Sequence, residues 1–351
     1  MLSPSDDVLE SRQRDVLKSV IRAHIVTGEP VGSRTVSRGA GLDLSPATIR
    51  NIMAELEERG LLVQPHTSAG RVPTDLAYRF YVDRLMGRSR MSAVQAHAID
   101  EALERSRGEI PELLEEASRQ LSRLSSHVGV VLAPEWRRIV VEQLEFVRLG
   151  PHRVVAILVG RSGVVHNRIL DVEDPVEQAE LDRIGSYLSE RYHGWTLPKI
   201  REELKQRISQ DRETYNLLAS KALDLGRQAV DLARADSEVF IEGTSNLLNS
   251  PEFSDLERMR SVFRTLEQKS RLVEILGRVL DEDGVQVVIG QENDDADLAT
   301  CSLVASPYHS GERVMGTVGI VGPTRMQYAR AVALVDYLAQ VLSRLLSATD
   351  H

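Results

Sequence analysis

The segment SPATIRNIMAELEERG (residues 45–60) constrains the fold most, because it carries the start, the buried face and the end of one helix. Ser45 is placed to cap the first turn, and Pro46 fits the first helical position, where its missing N–H costs nothing. Gly60 supplies the left-handed residue that often ends a helix. Four apolar residues share one stripe that must pack inward: Ile49, Ile52, Met53 and Leu56. The segment therefore predicts a short amphipathic helix inside a small helical domain.

Two further helices are predicted before this one. The apolar spacing over residues 5–27 is helical, with Ser5 as a cap, and Gly28 ends the helix. Ser33 offers a cap for a shorter helix over residues 34–40. Three short helices in this order are typical of a helix-turn-helix domain.

The outward side of the third helix carries short polar groups, an arginine and an amide near its N-terminal end. This is the end that enters the major groove in helix-turn-helix proteins, and arginine and asparagine are common base-reading side chains. The pattern also fits a capped surface helix in any three-helix domain. For DNA, we expect Thr48, Arg50 and Asn51 to read bases, while Ser33, Arg34 and Ser45 contact the phosphate backbone.

A short hairpin is predicted directly after the third helix. Residues 61–63 form one strand, HTSAGR (residues 66–71) makes a polar tip, and Val72-Pro73 leads back. A helix-turn-helix followed by such a hairpin is a winged helix. We expect His66, Thr67, Ser68 and Arg71 to contact the DNA backbone, with Arg71 reaching phosphate or the minor groove. A winged helix that serves only as a protein-interaction module remains the alternative.

The distribution of charge agrees with a nucleic-acid-binding head on an acidic body. The net charge of the whole chain is −9. Residues 1–90 hold 13 Lys and Arg against 11 Asp and Glu, a net of +2, whereas residues 91–351 carry a net of −11. The first quarter of the chain can therefore approach a polyanion that the remainder repels.

The body is predicted to contain strands on both sides of a long helical stretch. β-branched segments bounded by Pro and Gly are typical of strands. Helices are expected at residues 92–126, at 175–235 with a break near 193–198, at 256–280, and after a cap at Thr324. Strands are expected at residues 128–134, 139–149, 153–161, 164–172, 238–243, 285–290, 300–308 and 313–322. This order indicates one sheet domain with an insertion.

Nothing in the sequence points to catalysis, a cofactor or a metal. The single cysteine, Cys301, sits in an apolar stretch and is expected in the core. The acidic run QENDDAD (residues 291–297) lacks the order of a calcium loop, so we expect a solvated loop. There is no P-loop, GxGxxG after a strand, GxSxG or HExxH motif. With no secretory signal and no long apolar run, we expect a cytoplasmic protein that is not an enzyme.

Four segments resemble one known family. They are GEPVGSRTVSR (28–38), LSPATIRNIMAELEERGLLVQPHTSAGRVPTDLAYRFYVDRLM (44–86), GTSNLLNSPEF (243–253) and VGPTRMQYARAVALVDYLAQVL (321–342). They are similar to HrcA, the heat-inducible transcription repressors, and the wing segment is the most distinctive. Ala77 departs from the glycine that this resemblance leads us to expect.

The resemblance implies an α+β multidomain architecture. It comprises a winged helix-turn-helix at residues 1–90, a GAF-like domain with connecting helices at 91–174 and 281–351, and an inserted, mainly helical dimerising domain at 175–280. It implies a homodimer that binds the inverted repeat CIRCE in double-stranded DNA, with activity dependent on the chaperonin GroEL. A winged-helix regulator gated by a metabolite in the GAF-like domain is the rival function.

Overall fold

The computed structural model contains both helices and β-sheets, as expected of an α+β chain. Ser5, predicted as a helix cap, and Ser68, predicted as a DNA contact, lie outside the described residues. The described residues are 9–39, 43–67, 69–87, 89–106, 109–134, 140–161, 165–172, 174–210, 225–228, 238–249, 251–253, 255–282, 284–311 and 313–347.

Three helices and a hairpin open the chain. Their bounds are α1 Ser11–Thr27, α2 Ser33–Gly39, α3 Pro46–Glu58, β1 Leu62–Val63 and β2 Val72–Pro73. The predicted cap of α3 is confirmed, because the Ser45 hydroxyl accepts a hydrogen bond from the Thr48 N–H at 3.1 Å. The left-handed stops are confirmed as well, with φ of 72° at Gly28 and 73° at Gly60. Ser33 differs, since it is the first helical residue of α2 rather than a preceding cap. We call residues 9–86 the head.

Three more helices lead into the body. They are α4 Asp75–Phe80, which continues into a π-helical turn Tyr81–Leu85, then α5 Ala93–Arg105 and α6 Ile110–Ser125. The Thr74 hydroxyl caps α4 by accepting from the Ala77 N–H at 3.3 Å. Ala77 itself is fully buried, so the residue that departs from the expected glycine belongs to the packing of the head.

Among the described residues, the remaining elements include two sheets and five longer helices, besides one helical turn at residues 225–228. The strands are β3 Val128–Leu132, β4 Val141–Gly150, β5 Arg153–Gly160, β6 Val165–Asp171, β7 Val239–Glu242, β8 Gln286–Ile289, β9 Cys301–Ser310 and β10 Arg313–Pro323. The helices are α7 Gln178–Tyr192, α8 Leu197–Gln210, α9 Leu256–Glu267, α10 Lys269–Gly277 and α11 Tyr328–Ser347. Short 3-10 turns at Thr244–Asn249, Pro251–Phe253, Arg278–Asp281, Gly290–Glu292 and Ala296–Leu298 connect some of them.

Five strands form one antiparallel sheet in the order β7-β3-β10-β9-β8. Helices α6 and α11 cover one face, and α9 and α10 cover the other. Helix α6 approaches β3 so closely that a Cβ at Gly129 would lie 2.2 Å from the Ser118 carbonyl oxygen. Because both faces are covered, nine of the ten residues of β9 are buried.

Strands β4, β5 and β6 form a separate sheet of their own. One face packs on α7 and α8 around a core that includes Phe146, Leu158 and Leu188. This differs from the expected division, in which these strands share a domain with the later strands and the insertion begins at residue 175. The reason is local pairing: tight connections join β4 to β5 and β5 to β6, whereas β3 finds its neighbours at residues 239–242 and 313–323.

The last helix also starts later than predicted. We expected Thr324 to cap it, but α11 begins at Tyr328. The Thr324 carbonyl instead accepts a hydrogen bond from the Tyr328 hydroxyl at 2.5 Å. That hydroxyl also pairs with Ser302 on β9 at 2.8 Å, so the segment before α11 is held against the sheet.

Candidate nucleic-acid interface

The N-terminal end of α3 presents the side chains that the sequence selects for base contact. Ile49 and Leu56 are fully buried, which turns the opposite side of the helix outward. Arg50 and Asn51 are exposed, and neither has a side-chain partner among the residues that the structure describes. Thr48 is half-buried, and its hydroxyl lies 2.9 Å from that of Ser45. The arginine and the amide are therefore free to bind, while Thr48 and Ser45 are occupied in the helix cap.

The two predicted contacts on α2 lie in different environments. Arg34 is exposed, whereas Ser33 is only 8% exposed. Exposed Arg38 lies one turn after Arg34 on the same short helix, and sequence reasoning did not select it. Both cations are available to a polyanion, and Ser33 is packed inside the head.

The hairpin is held against α3 by one carboxylate. The Arg71 Nε lies 2.8 Å and an Nη 2.7 Å from Glu57 Oε2, and the Arg71 side chain is 16% exposed. The other Glu57 oxygen accepts from the Gln64 N–H at 3.2 Å. Glu57 thus joins α3 to both sides of the hairpin, and Arg71 is engaged within the head rather than reaching outward.

Gln64 organises the tip of the same hairpin. Its amide nitrogen donates to the Thr67 carbonyl at 3.0 Å and to the Ala69 carbonyl at 2.9 Å. His66 and Thr67 are exposed at the tip. Gly70 sits so close to Val31 that a Cβ would lie 2.5 Å from its backbone. The tip therefore has a fixed shape against the segment between α1 and α2.

Sequence reasoning missed Glu57 and Gln64. The acids of α3 look unfavourable beside a polyanion, yet two of the three are already engaged within the head. Glu55 accepts a hydrogen bond from the buried Gln13 of α1 at 2.8 Å, and Glu57 pairs with Arg71. The available signal was the spacing of an acid at the end of α3 and a base at the end of the tip, 14 residues apart.

The head is joined to the body through aromatic rings and ion pairs. Tyr78 is buried, hydrogen-bonds to His24 Nδ1 at 2.8 Å and lies 5.8 Å from the ring of Tyr328. Burial, and then the nearby Arg325 charge, lower the pKa of His24. On the exposed side, Arg79 pairs with Glu292 of the body, and this hydrogen bond raises the pKa of Arg79. The aromatic residues of α4 thus serve packing.

The acidic loop at residues 291–297 is tied down by arginines rather than simply solvated. Arg271 pairs with Asp295 and Asp297, both at 2.9 Å, and Arg278 pairs with Asp294. Within the described part of the chain, no group of three or more His, Cys, Asp or Glu is arranged to hold a metal.

Cys301 lies in the core, as expected. It is 1% exposed, and burial raises the pKa of its thiol to about 12. The thiol is therefore protonated and shielded at neutral pH.

No described helix is long and apolar enough to cross a bilayer.

Known proteins are similar to this chain in sequence, both over its body and over nearly its full length. The family profile "HrcA protein C terminal domain" matches residues 111–332. A protein of Geobacter sulfurreducens named heat-inducible transcription repressor HrcA is 41% identical over 338 residues, covering 96% of this chain and 98% of that protein. A protein of the same name from Syntrophobacter fumaroxidans is 40% identical over 339 residues, covering 96% and 97%.

A solved structure, described as that of a hypothetical protein at 2.2 Å resolution, has the same fold. It aligns with a TM-score of 0.63 at 23% identity, and covers 97% of this chain and all of that one. At this identity the likeness concerns the fold alone. The two named relatives, each aligned over nearly its full length, decide the family: the chain belongs to the HrcA family, whose members carry the name heat-inducible transcription repressor.

Proposed function

We propose that the chain is a sequence-specific DNA-binding repressor that reads an inverted repeat with a winged helix-turn-helix. In this proposal α2 and α3 form the helix-turn-helix, and β1, β2 and their loop form the wing. One observation carries it: Arg50 and Asn51 stand exposed at the start of a capped helix, with no side-chain partner in the described part of the chain. Arginine pairs well with guanine and asparagine with adenine in the major groove.

The remaining contacts are assigned by exposure. Arg34 and Arg38 supply phosphate contacts beside α3, and His66 and Thr67 supply them at the wing. Three polar residues stabilise the helices: Ser45, Thr48 and Ser33. Their outward atoms lie near the sugar-phosphate backbone of the bound DNA. Ser68 stays a predicted wing contact. Arg71 anchors the wing through Glu57 in the free protein, and its contact with phosphate stays a prediction.

We further propose a homodimer formed through the outward face of the β4–β6 sheet. Strand β5 turns Val155, Ile157 and Val159 to this side, away from the core with α7 and α8. Val147 of β4 and Ile169 of β6 lie directly opposite Val155, so an apolar row crosses all three strands. Exposed apolar area of this kind is typical of a surface that meets a partner. A second copy offers the same face, as a two-fold contact requires.

The β4 edge of the same sheet is closed to a partner strand. The Ser189 hydroxyl of α7 bonds both the N–H and the carbonyl of Leu144 on β4, at 2.8 and 3.0 Å. The Gln178 side chain bonds the Arg148 N–H and the Phe146 carbonyl in the same way. Since these groups are already paired, association through the face is favoured over strand addition.

Family membership supports two finer proposals. The operator is the inverted repeat CIRCE, and the chaperonin GroEL keeps the repressor in its active form. Two heads on one dimer suit an inverted repeat, because protein and operator then share a two-fold axis. Selection of bound sequences from random duplexes tests the first proposal, and recovery of single half-sites would contradict it. Repression reconstituted equally well without chaperonin would contradict the second.

A cavity of about 520 Å³ favours the rival function, a metabolite-gated regulator. It lies beside the acidic loop, with Ile275, Val288 and Leu303 among its apolar walls. Arg271 and Arg278 also line it, but their charges are already paired with acids of the loop. The two functions differ in one measurement. A metabolite-gated regulator releases DNA when the metabolite is added to the purified protein, with no chaperonin present.

A further inference from the structure

One arginine of the body joins three segments at the base of the head. Arg325, in the turn after β10, donates from Nη1 to the Ile25 carbonyl of α1 at 2.9 Å. Its Nε pairs with Glu252 of the Pro251–Phe253 turn. The Arg325 side chain is 16% exposed. Because α1 packs directly on α3, the position of this guanidinium bears on the recognition helix.

A cavity of about 240 Å³ opens beside this arginine. It lies between the last turn of α1, the Ser125–His127 turn and the start of α11. Arg330 and Gln327 are exposed on its wall, and neither side chain has a partner among the described residues. The ring of His127 also reaches the wall with no partner for its nitrogens in that part of the chain.

The charged residues that line this cavity are all cationic. Arg325 and Arg330 line the cavity, and no acidic residue is among the lining residues. The carboxylate of Glu252 uses one oxygen on Arg325, and its other oxygen is buried with no hydrogen bond among the described residues. Burial lowers the pKa of His127 to about 4, so the ring is neutral at pH 7 and has one N–H to donate. Two guanidiniums with amide and imidazole donors match an oxyanion.

We propose that this junction cavity binds a small oxyanion, the phosphate or carboxylate group of a small molecule, between Arg325 and Arg330. A volume of about 240 Å³ admits a ligand of a few heavy atoms. The bound anion competes with Glu252 for Arg325 and loosens the bond from Arg325 to Ile25. The binding of the anion and the binding of DNA are thereby coupled. The anion stabilises a position of the head that is less favourable in the free protein.

Binding is tested first, with the full-length protein and without DNA. Inorganic phosphate and succinate are titrated separately by calorimetry at constant ionic strength, set with chloride. We expect saturable binding of at least one of them, and the two arms decide between the phosphoryl and carboxylate sources. Arg330→Gln removes the binding, and because Arg330 is exposed the variant keeps its fold. Arg313→Gln, the same change at the far end of β10, leaves the binding intact.

The outcome that overturns the proposal is an absence of saturable binding by both anions. Binding that Arg330→Gln leaves unchanged, or that Arg313→Gln reduces equally, overturns it too, because the anion then binds elsewhere or only screens charge. Circular dichroism of both variants checks the fold.

Coupling rests on the proposed function and is measured separately. We expect the saturating anion to weaken operator binding about fivefold in the wild type and in Arg313→Gln, and to leave Arg330→Gln unaffected. Equal weakening in all three proteins contradicts the coupling. A protein that binds the anion but no DNA at any salt concentration contradicts the proposed function and leaves the anion site standing.

Discussion

The head and the three-stranded sheet are both small units of the chain, yet they join the body in different ways. The head shares one continuous core with the inner face of the five-stranded sheet, from Leu17 through Tyr78 to Tyr328 and Leu342. The three-stranded sheet and its helices have a core of their own around Leu158 and Leu188. The difference teaches that α3 is positioned by a core shared with the body, whereas the sheet unit folds around its own core and leaves Val147 and Ile169 exposed.

The largest loss of stability is expected from a substitution in the core that the head shares with the five-stranded sheet. Tyr328→Ala should destabilise the protein by about 3–5 kcal/mol, because a buried ring that touches Tyr78 is lost. Leu188→Ala should cost a comparable amount, but only within the sheet unit. Hydrogen exchange followed by mass spectrometry separates the two cases. Tyr328→Ala should speed exchange in α3, and Leu188→Ala should not.

Tyr328→Phe serves as the control for this contrast. It keeps the ring and loses only the hydroxyl bonds to Ser302 and Thr324. A loss of about 1 kcal/mol is expected. If Leu188→Ala also loosened α3, the separation of the two cores would be wrong.

A charge on the outward face of the β4–β6 sheet should abolish the proposed dimer without unfolding the sheet and its helices. Val155→Glu places a charge at the centre of the outward apolar row and is expected to convert the dimer to a monomer at micromolar concentration. Val94→Glu is the matched control, because Val94 is 80% exposed on α5. Sedimentation velocity measures the outcome. A dimer that survives Val155→Glu would place the interface elsewhere.

The junction between head and body should respond to acid. Burial holds the pKa of His127 near 4, against about 6.5 in the unfolded chain. The unfolded state therefore binds the proton first, and stability falls between about pH 6.5 and 4 by up to about 3 kcal/mol. Urea titrations at several pH values should show His127→Gln losing less stability than the wild type. His97→Gln, a change at an exposed histidine, should follow the wild type.

Contacts of the head with DNA should leave the core untouched. Arg50→Ala is expected to weaken binding to the cognate site by about 1–3 kcal/mol and to relax the choice at one base pair, with unchanged thermal stability. Arg313→Ala on the body is the control. Mobility shifts on cognate and substituted duplexes measure both. An Arg50→Ala protein that discriminates as well as the wild type would remove α3 from the readout.

The smallest effect distinguishes two roles of Arg71. If Arg71 anchors the wing, Glu57→Gln should weaken DNA binding by about 1 kcal/mol, because the hairpin loses its ion pair. If Arg71 mainly contacts phosphate, removing the competing acid should strengthen binding instead. Glu58→Gln, an exposed neighbour, removes the same charge without touching the wing. Fluorescence anisotropy at two salt concentrations measures whether the affinity for DNA falls or rises.

Local chemistry was predictable in the head because neighbours in sequence supply it. The cap by Ser45, the stop at Gly60 and the buried stripe of α3 depend on residues within one or two turns. The pairing of Arg71 with Glu57 was not predictable, since it requires the hairpin to fold back over 14 residues. Exposure could be predicted for Arg50, but not the burial of Ser33, which depends on how α2 meets α1.

The division of strands between two sheets could not be predicted for a physical reason. Strand β5 (RVVAILVG) is apolar on both sides, which is typical of a strand covered twice, yet the helices that the structure describes pack on only one side. The sequence pattern is the same whether the second cover is a helix of the same chain or another molecule. Strand β3 pairs with residues more than 100 positions away, and no local signal names those partners.

The side chains of Ser189 and Gln178 on the rim of β4 bear on how the protein behaves when it is abundant. A strand with open hydrogen-bonding groups recruits a copy, which recruits the next, and the chain of copies never closes. With the β4 rim occupied from within, that edge does not start such a series of copies. If the proposed two-fold contact through the outward face forms, a single encounter uses that face up, because each copy offers it once.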